Sequence, residues 1–488
     1  MPVYLTFDIG TTALKTALID SAGRLLAVHI EEYAFHTPQA DWAEMEPEAY
    51  WRAAVTGARA VLGRVQSVRS EQIVIGFSSQ GQTFVPIDRK GKYLYNAIVW
   101  TDARAQSIAD EWEAGRFSRD DFRRITGYPW LPAGLTVFKI AWLAREVPDA
   151  HRAWKFLCLP DYLIYRLTGE IVTDHVTAQF SGIFDLQSRA WESQFLEAIG
   201  ITSDQLPSVV PSGTIVGAVL PEPAAELGIP TYSKVCTGTN DQIAGALGAG
   251  NAKPGIVTET TGTALAVVAT TPKLLEDTRM VVGRHAAKDR FFAMPFTITS
   301  AIVLKWFRDL CDENSSYDSF LEGVENIAPG CDGLTVLPHF AGTASPTFNP
   351  NARGVFAGLA LGHTRAHIAR AVMESCCCSL QECLEPVIEH GLNIRSVRSL
   401  GGAARSDLWL QMKADMLGID VERPECSDAA SLGAAVLAAA GTGAFGSVEE
   451  ASEAWYRPAR VFEPNPRLYA CYRDIYERYL ELYRRLYG

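Results

Sequence analysis

An acidic residue, a glycine-threonine turn and a lysine lie close together near the start of the sequence. Asp8 ends an apolar run, Gly10, Thr11 and Thr12 follow it, and Lys15 comes shortly after. A carboxylate at the end of an apolar strand is costly to bury unless a cation or hydrogen bonds compensate it. The backbone N–H groups and hydroxyls of a Gly-Thr turn suit phosphate oxygens, and the lysine adds a positive charge. These residue types at this spacing therefore indicate phosphate binding.

The pattern of strand, threonine-rich turn and strand recurs at residues 255–270, where the turn holds Thr261, Gly262 and Thr263. Two such turns could hold one polyphosphate from the two sides of a cleft. The alternating residues of the first copy predict a β-hairpin. The sequence has no Walker A loop, which excludes a P-loop kinase. We interpret the chain as an ATP-dependent phosphotransferase of the α/β class, with two actin-like (ribonuclease-H-like) domains flanking a central cleft.

Asp241 lies in a polar turn, Thr237–Gln242, that leads into a helix of small residues. Its carboxylate could simply cap that helix, and from the residues alone this role is at least as plausible as catalysis. We place the main domain boundary just after it. The predicted parts are an N-terminal domain at residues 1–243, a C-terminal domain at 244–465 and a terminal helix at 466–488 that docks on a neighbouring domain.

A short polar segment follows the predicted buried strand Ile73–Phe77. It contains Gln80, Gly81 and Gln82. Ligands of α/β proteins usually bind beyond the carboxyl ends of strands. A ligand-binding turn and an ordinary polar turn are equally good interpretations of this segment.

A second predicted strand, Ile98–Val99, delivers Trp100, Asp102 and Arg104. An aromatic plane beside an acid and a base could form the floor and wall of a sugar site. A surface ion pair is the alternative, and the apolar strand before these residues makes it the weaker one.

Four further candidates follow a predicted strand at Val397–Gly401 and precede a helix: Gly401, Gly402, Ala403 and Ser406. The N-terminus of that helix and the glycine backbone could contact a nucleotide. Elsewhere, Thr173–Asp185 predicts a turn with a pair of short strands, and Asp428–Ala440 predicts a helix of small residues.

The composition is that of a globular protein of two or three domains. The chain has 488 residues, of which 48% are hydrophobic and 20% charged, and a net charge of −12. Such an excess of negative charge argues against nucleic acid or an anionic membrane as a partner. No apolar run is long enough to cross a bilayer, and no targeting segment precedes the first strand, so we expect a cytoplasmic protein. The ten cysteines are scattered and form no CxxC pair, which favours reduced thiols.

Several longer segments resemble the FGGY family of carbohydrate kinases, and the match runs along nearly the whole chain. The segments are DIGTT with Lys15, GLTVFKIAWLARE at residues 134–146, GVFAGLALGHTRAHIARAVMES at 354–375 and GGAARSDLW at 401–409. Within the family, WAEMEP at residues 42–47 and the run from Trp100 to Arg104 are most similar to xylulokinases. The resemblance implies a sugar kinase that uses ATP and Mg²⁺ and takes a pentulose such as D-xylulose. A homodimer is one assembly open to it, and the sequence does not give the oligomeric state.

The resemblance also implies roles for individual residues. Asp241 resembles the base that takes the proton from the sugar hydroxyl as it attacks the γ-phosphate of ATP. Asp8 resembles the carboxylate near the metal, and both aspartates would hold Mg²⁺ through water. The phosphate contacts would be Thr11, Thr12, Lys15, Thr261, Gly262 and Thr263, and the adenosine contacts Gly401, Gly402, Ala403 and Ser406. The residues facing the sugar would be Gln80, Gly81, Gln82, Trp100, Asp102, Asp241 and Gln242.

One departure from the family pattern bears on the substrate. Typical xylulokinases have Gln-Met-His-Gly where this chain has Gln80-Gly81-Gln82-Thr83. The glycine and the neutral amide alter the width and hydrogen bonding of the pocket, so another ketose or a polyol (L-xylulose, ribulose, erythritol or a glycerol-like compound) is an alternative acceptor. A non-catalytic actin-fold protein that binds sugar or nucleotide is the alternative from another class. The joint presence of Asp8, Lys15 and Asp241 favours the enzyme.

Overall fold

Strands and helices alternate along most of the chain, which the computed structural model describes at residues 2–65, 68 and 72–488. The strands are β1 (Val3–Ile9), β2 (Ala13–Ile19), β3 (Leu25–Glu32), β4 (Glu44–Met45), β5 (Ile73–Ser79), β6 (Phe84–Ile87), β7 (Ala97–Ile98), β8 (Lys155–Cys158), β9 (Val172–Asp174), β10 (Phe184–Asp185), β11 (Ala190–Trp191), β12 (Ser208–Val210), β13 (Ile215–Ala218), β14 (Lys234–Cys236), β15 (Thr239–Asn240), β16 (Ile256–Thr261), β17 (Leu265–Thr271), β18 (Val281–Arg284), β19 (Phe291–Met294), β20 (Phe296–Thr297), β21 (Thr335–Leu337), β22 (Val355–Ala357), β23 (Ser396–Leu400), β24 (Asp420–Pro424) and β25 (Pro458–Phe462).

The α-helices separate these strands and cover the sheets. They are α1 (Pro47–Arg64), α2 (Gln106–Glu111), α3 (Arg119–Thr126), α4 (Thr136–Glu146), α5 (Pro148–His151), α6 (Leu159–Thr168), α7 (His175–Phe180), α8 (Ser193–Ile199), α9 (Pro221–Leu227), α10 (Asp241–Gly248), α11 (Ala301–Asp312), α12 (Tyr317–Phe320), α13 (Arg365–Glu389), α14 (Asp407–Leu417), α15 (Ala429–Gly441), α16 (Val448–Trp455) and α17 (Tyr469–Tyr487).

The first large sheet is built around the predicted hairpin. Its strand order is β13–β14–β5–β1–β2–β3, and β15 also pairs with β5. Strand β1 runs antiparallel to β2 and parallel to β5. The register sets Asp8 opposite Lys15 on β2 and opposite Ser78 on β5. The hairpin prediction is confirmed, and the sheet places a cation and a hydroxyl beside the carboxylate.

The second large sheet repeats this arrangement. Its order is β18–β19–β17–β16–β23–β24–β25, with β20 beside β17. Strand β16 is antiparallel to β17 and parallel to β23, the same pairing that β1 makes with β2 and β5. The recurrence seen in the sequence is therefore a recurrence of strand arrangement, and the predicted α/β fold with two domains is confirmed.

Helices α10 and α15 cross at very short range. A Cβ atom at Gly433 would lie 1.8 Å from the carbonyl oxygen of Ala244, and one at Gly248 would lie 1.9 Å from that of Ala429. No side chain fits at such distances, so glycine at both positions lets the two backbones touch. The small residues of these helices predicted close packing, and the glycines provide it by letting the two backbones touch.

The same helix pair also contacts both sheets. A Cβ atom at Gly76 of β5 would lie 2.6 Å from the carbonyl of Ala434 on α15, and one at Gly245 of α10 would lie 3.6 Å from Leu400 of β23. The boundary placed after residue 243 falls within α10. That boundary stays a prediction.

The segment Thr173–Asp185 differs from its prediction. A helix, α7, separates the short strands β9 and β10. Asp174 initiates this helix, because its side chain accepts hydrogen bonds from the backbone N–H groups of Val176 and Thr177. The strand predicted at Ile98–Val99 is also displaced by one residue, to Ala97–Ile98.

The last helix, α17, lies along α13. Arg370 donates a hydrogen bond to the Tyr472 hydroxyl at 3.2 Å, and the hydroxyls of Ser379 and Tyr479 are 3.3 Å apart. Both tyrosines are buried. The amphipathic pattern of the final segment therefore serves packing within the chain.

Candidate active site

Asp8 lies at the end of β1 with a hydrogen-bond donor on the neighbouring strand. The Ser78 hydroxyl donates to Asp8 Oδ1 at 2.7 Å. Burial raises the pKa of Asp8, while the Ser78 hydrogen bond and the positive charge of Lys15 act to lower it. The net shift is upward, so burial outweighs both, and a further cation at this position would stabilise the carboxylate.

Lys15 forms an ion pair that the sequence did not suggest. Its Nζ atom is 2.5 Å from Asp428 Oδ1, and the two residues are 413 positions apart. Burial acts to lower the pKa of Lys15, but the hydrogen bond and charge of Asp428 outweigh it and raise the pKa. Sequence reasoning treated Asp428 only as the start of a helix, and nothing in its spacing links it to Lys15.

Asp241 is the first residue of α10, and the residue before it, Asn240, is the N-cap of the helix. The Asn240 side chain accepts a hydrogen bond from the Gln242 N–H at 3.0 Å. The same N–H lies 2.8 Å from Asp241 Oδ1, and the side chains of Asn240 and Gln242 also interact with that carboxylate. The capping role left open by the sequence therefore belongs to Asn240.

Asp8 and Asp241 share one electrostatic environment. Burial raises the pKa of Asp241 to about 7, and the negative charge of Asp8 is the next contribution. The negative charge of Asp8 acts to raise the pKa of Asp241, so the two carboxylates are close enough to interact electrostatically. The first sheet places both near the end of β5, because Asp8 lies opposite Ser78 and Asn240, which precedes Asp241, lies opposite Ser79.

The first glycine-threonine turn adjoins two of the predicted sugar-facing residues. Trp100 Nε1 donates to the Thr11 hydroxyl at 2.8 Å, and that hydroxyl is 3.4 Å from Gln80 Oε1. Gln80 Nε2 donates to the Gly10 carbonyl at 3.0 Å. Trp100 remains 44% exposed, so its ring offers a surface to a ligand. Thr12, the next residue of the turn, is exposed.

Gly81 and Gln82 are placed beside the residues around Asp241 and beside a buried tyrosine. A Cβ atom at Gly81 would lie 3.3 Å from Asn240 Nδ2 and 3.3 Å from the Phe180 Cβ, so little room exists for a larger residue. Gln82 Nε2 donates to the hydroxyl of Tyr128 at 2.9 Å. Tyr128 is buried, and sequence reasoning missed it because it lies on a different segment.

Asp102 does not line the site, contrary to the expectation that it faces the sugar. Its side chain is fully buried, and Arg104 donates to both carboxylate oxygens at 2.7–2.8 Å. The Ala43 N–H also donates to Asp102 Oδ2 at 2.6 Å. The Arg104 guanidinium lies 3.9 Å from the centre of the Trp42 ring and pairs with Glu44. Both carboxylate oxygens of Asp102 accept hydrogen bonds from buried groups of the protein. We therefore infer that Asp102 stabilises the segment that carries Trp100.

The second threonine-rich turn rests on a buried ion pair. Lys413 Nζ is 2.5 Å from Glu259 Oε1 and 3.0 Å from the Thr261 hydroxyl, which itself donates to Glu259 Oε2 at 2.6 Å. The hydroxyl of Thr261 is therefore engaged below the turn. Gly262 is partly exposed and Thr263 exposed.

The predicted adenosine segment begins directly beside this turn. Gly401 has a φ of +78°, and a Cβ atom there would lie 2.8 Å from the Thr261 carbonyl. A residue with a side chain would clash with that carbonyl and would also adopt a strained backbone conformation. Ala403 is buried, and the Ser406 hydroxyl caps α14 by accepting from the Trp409 N–H at 3.3 Å. Gly402 has no neighbouring atom where its Cβ would be, so its backbone is open.

The donors present fit a Mg²⁺ ion that is bound together with a nucleotide. Among residues 2–65, 68 and 72–488, no group of three or more His, Cys, Asp and Glu side chains could hold a metal. Burial raises the pKa values of both Asp8 and Asp241, so added positive charge would stabilise the two carboxylates. Mg²⁺ commonly binds one or two carboxylates and takes its remaining ligands from water and phosphate.

No helix within the described part of the chain is long and apolar enough to cross a membrane. This result agrees with the absence of a long apolar run from the sequence.

Comparison with known proteins identifies the family. Residues 3–248 match the N-terminal domain of the FGGY family of carbohydrate kinases, and residues 256–442 match its C-terminal domain. A xylulose kinase of Bacillus subtilis (strain 168) is 32% identical, with 99% of this chain and 97% of the relative covered. A glycerol kinase of Nitratidesulfovibrio vulgaris (strain Miyazaki F) is 31% identical, with 94% of each covered.

Solved structures agree with the sequence matches. The crystal structure of a xylulose kinase from Rhodospirillum rubrum superposes with a TM-score of 0.92 at 26% identity and covers 99% of both chains. The family uses ATP as its phosphate donor, and the two turns, the aspartate pair and the full-length matches all agree with this chemistry. The chain belongs to the FGGY family of carbohydrate kinases and is a sugar kinase.

Proposed function

We propose that this kinase transfers the γ-phosphate of ATP to a hydroxyl of a pentulose such as D-xylulose, with Asp241 as the general base. The observation that carries the proposal is that Asp241 follows β15, which pairs with β5 next to the residue opposite Asp8, and that its pKa is raised to about 7. A base with a pKa near the working pH combines a useful deprotonated fraction with a real affinity for the proton it removes. Asp241 would take the hydroxyl proton as the oxygen attacks phosphorus.

Phosphate binding would use both turns. Thr11, Thr12 and Lys15 would contact the phosphates from the N-terminal sheet, and the exposed Gly262 and Thr263 would do so from the C-terminal one. Lys15 would turn from Asp428 towards the nucleotide, because phosphate oxygens offer it a stronger negative charge. For Thr261 we propose only backbone contacts, since its hydroxyl already donates to Glu259.

Mg²⁺ would be held through water by Asp8 and Asp241, and it would supply positive charge to the phosphate oxygens. Phosphoryl transfer depends mainly on such neutralisation and on positioning. Gly401, Gly402, Ala403 and Ser406 would lie along the adenosine. Gly401, the first of these residues, lies directly beside the carbonyl of Thr261 in the second turn, which supports this arrangement.

The acceptor would lie against Trp100 and the segment from Gln80 to Gln82, with Gln242 on the side of α10. Xylulose is the favoured acceptor because of the relatives' names, and another ketose or a polyol is the alternative because glycerol kinases are also similar. The cytoplasmic location and the homodimer stay predictions.

The test is a screen for ADP release with purified protein, Mg-ATP and one acceptor at a time. Pentuloses, hexuloses, sugar acids and polyols including glycerol would be compared by kcat/KM, with identification of the phosphorylated product. The proposal expects D-xylulose among the best acceptors. A clear preference for a polyol would establish the alternative, and ADP release that no acceptor increases would contradict sugar phosphorylation by this site.

Replacing Gln82 with alanine should change the choice of acceptor more than nucleotide binding. The amide lies beside Gly81 and is held by Tyr128, so its loss would change the hydrogen bonds offered to the acceptor. We expect the ratio of kcat/KM between two acceptors to change by about tenfold, the effect of one polar contact of ~1.4 kcal/mol. The KM for ATP should stay within twofold of the unmodified protein. An unaltered acceptor ratio would remove Gln82 from the pocket.

A further inference from the structure

A buried lysine outside the predicted site contacts the backbone of two segments of that site. Lys139 on α4 is fully buried, and its Nζ atom lies 3.0 Å from the carbonyl oxygen of Gln82, 3.2 Å from that of Ile98 and 3.1 Å from that of Val99. An ammonium group has three N–H donors, so each carbonyl can accept one. Burial lowers the pKa of Lys139 to about 7, so the three carbonyl dipoles offset only part of the cost of burying its charge.

The three carbonyls belong to the segments proposed to hold the acceptor. Gln82 is itself a proposed contact, and Ile98 and Val99 immediately precede Trp100. The Thr83 hydroxyl also accepts from the Trp100 N–H at 3.0 Å, which joins the same two segments a second time. The distance between Gln82 and Trp100 therefore depends on a small set of polar contacts beneath them.

The backbone of Gln82 needs such support. Its φ is +61°, in the left-handed region that residues with a side chain seldom adopt. Its carbonyl accepts from the Thr136 hydroxyl at 2.8 Å as well as from Lys139. Two residues one turn apart on α4 thus hold a conformation that the chain would not favour by itself.

We propose that Lys139 is a positioning residue that sets the shape of the acceptor pocket by fixing the Gln82 carbonyl relative to the segment before Trp100. Thr136 assists it at the same carbonyl. The inference rests on the proposed function for its effect on the sugar, while its effect on the two segments does not depend on that function.

The first test is the kinetics of Lys139→Met, which keeps a long apolar side chain and removes all three donors. With Mg-ATP and D-xylulose, or with the best acceptor of the screen, we expect the KM for the acceptor to rise at least tenfold. The KM for ATP should stay within twofold. Thr136→Val, which removes one donor and keeps the shape, should raise the acceptor KM about threefold, and it carries the test if Lys139→Met does not fold.

Lys155 provides a matched control. Its Nζ atom also donates to backbone carbonyls, those of Asp204 at 2.6 Å and Leu206 at 3.0 Å, but these lie outside the acceptor segments. Lys155→Met should leave both KM values within twofold even if it lowers the melting temperature. An acceptor KM unchanged in both Lys139→Met and Thr136→Val, or raised equally by Lys155→Met, would overturn the proposal.

Hydrogen–deuterium exchange separates failure of the inference from failure of the proposed function. Peptides covering residues 79–84 and 97–102 should exchange at least threefold faster in Lys139→Met, or in Thr136→Val for the first peptide, than in the unmodified protein without any substrate. Lys155→Met should not change them. Unchanged exchange in these peptides overturns the inference whatever the protein phosphorylates, whereas faster exchange in a protein that phosphorylates no acceptor contradicts only the proposed function.

Discussion

Asp241→Asn is expected to lower kcat by about 10²-fold or more, because an amide cannot take the proton of the attacking hydroxyl. The substitution keeps the size of the side chain, and the Asn240 cap leaves α10 intact. Binding of the acceptor should therefore survive, and the loss should appear in kcat rather than in KM. Single-turnover measurement of phosphate transfer, together with calorimetric titration of the acceptor, would separate the two effects.

A control for charge alone is Asp121→Asn. Asp121 also lies in the first turn of a helix, α3, and is exposed. Its replacement should leave kcat unchanged. Near-normal turnover in Asp241→Asn would reject the assignment of the base.

In a plot against pH, kcat/KM should fall on the acidic side of about pH 7, and this falling part is the acid limb. A general base works only when deprotonated, and the pKa of Asp241 is raised to about 7 by burial and by Asp8. The rate should therefore fall about tenfold for each pH unit below the limb, since the deprotonated fraction falls by that factor. Initial rates between pH 5 and pH 9 at low acceptor concentration would define the limb.

The direction in which the pKa of Asp241 changes in Asp8→Asn tests whether the two aspartates interact. Removing the negative charge of Asp8 should lower the pKa of Asp241, so Asp8→Asn should move the acid limb to lower pH even though its overall rate is reduced. Asp20→Asn, beyond the other end of β2, should leave the limb in place. A pKa that stays fixed or rises in Asp8→Asn would contradict the raising effect of the Asp8 charge on Asp241.

Local patterns in the sequence predicted the parts of the site that are formed locally. Alternation around Asp8 gave the hairpin and its cross-strand lysine, and the recurrence at Thr261 anticipated the second copy of the strand arrangement. These features depend on residues within about twenty positions, where spacing determines which side chains share a face. The motif resemblance supplied the family, and the matching profiles and structures confirm it.

Contacts between distant segments could not be predicted in this way. Asp428 meets Lys15 because α15 packs on the first sheet, and no local pattern records that. The roles of Tyr128 and Lys139 likewise depend on how α4 and its preceding loop lie beneath Gln82. Asp102 was placed in the pocket because it follows a strand, yet the structure turns its carboxylate inward to Arg104.

The glycine crossing of α10 and α15 also bears on how this enzyme can move. Helix α15 touches Gly76 of the first sheet, and α10, which begins with Asp241, touches α15 without intervening side chains. Further along α10, Gly245 approaches Leu400 of the second sheet, so the helix pair lies between the two sheets and contacts both. Any movement of one sheet relative to the other would therefore have to take place about this helix pair.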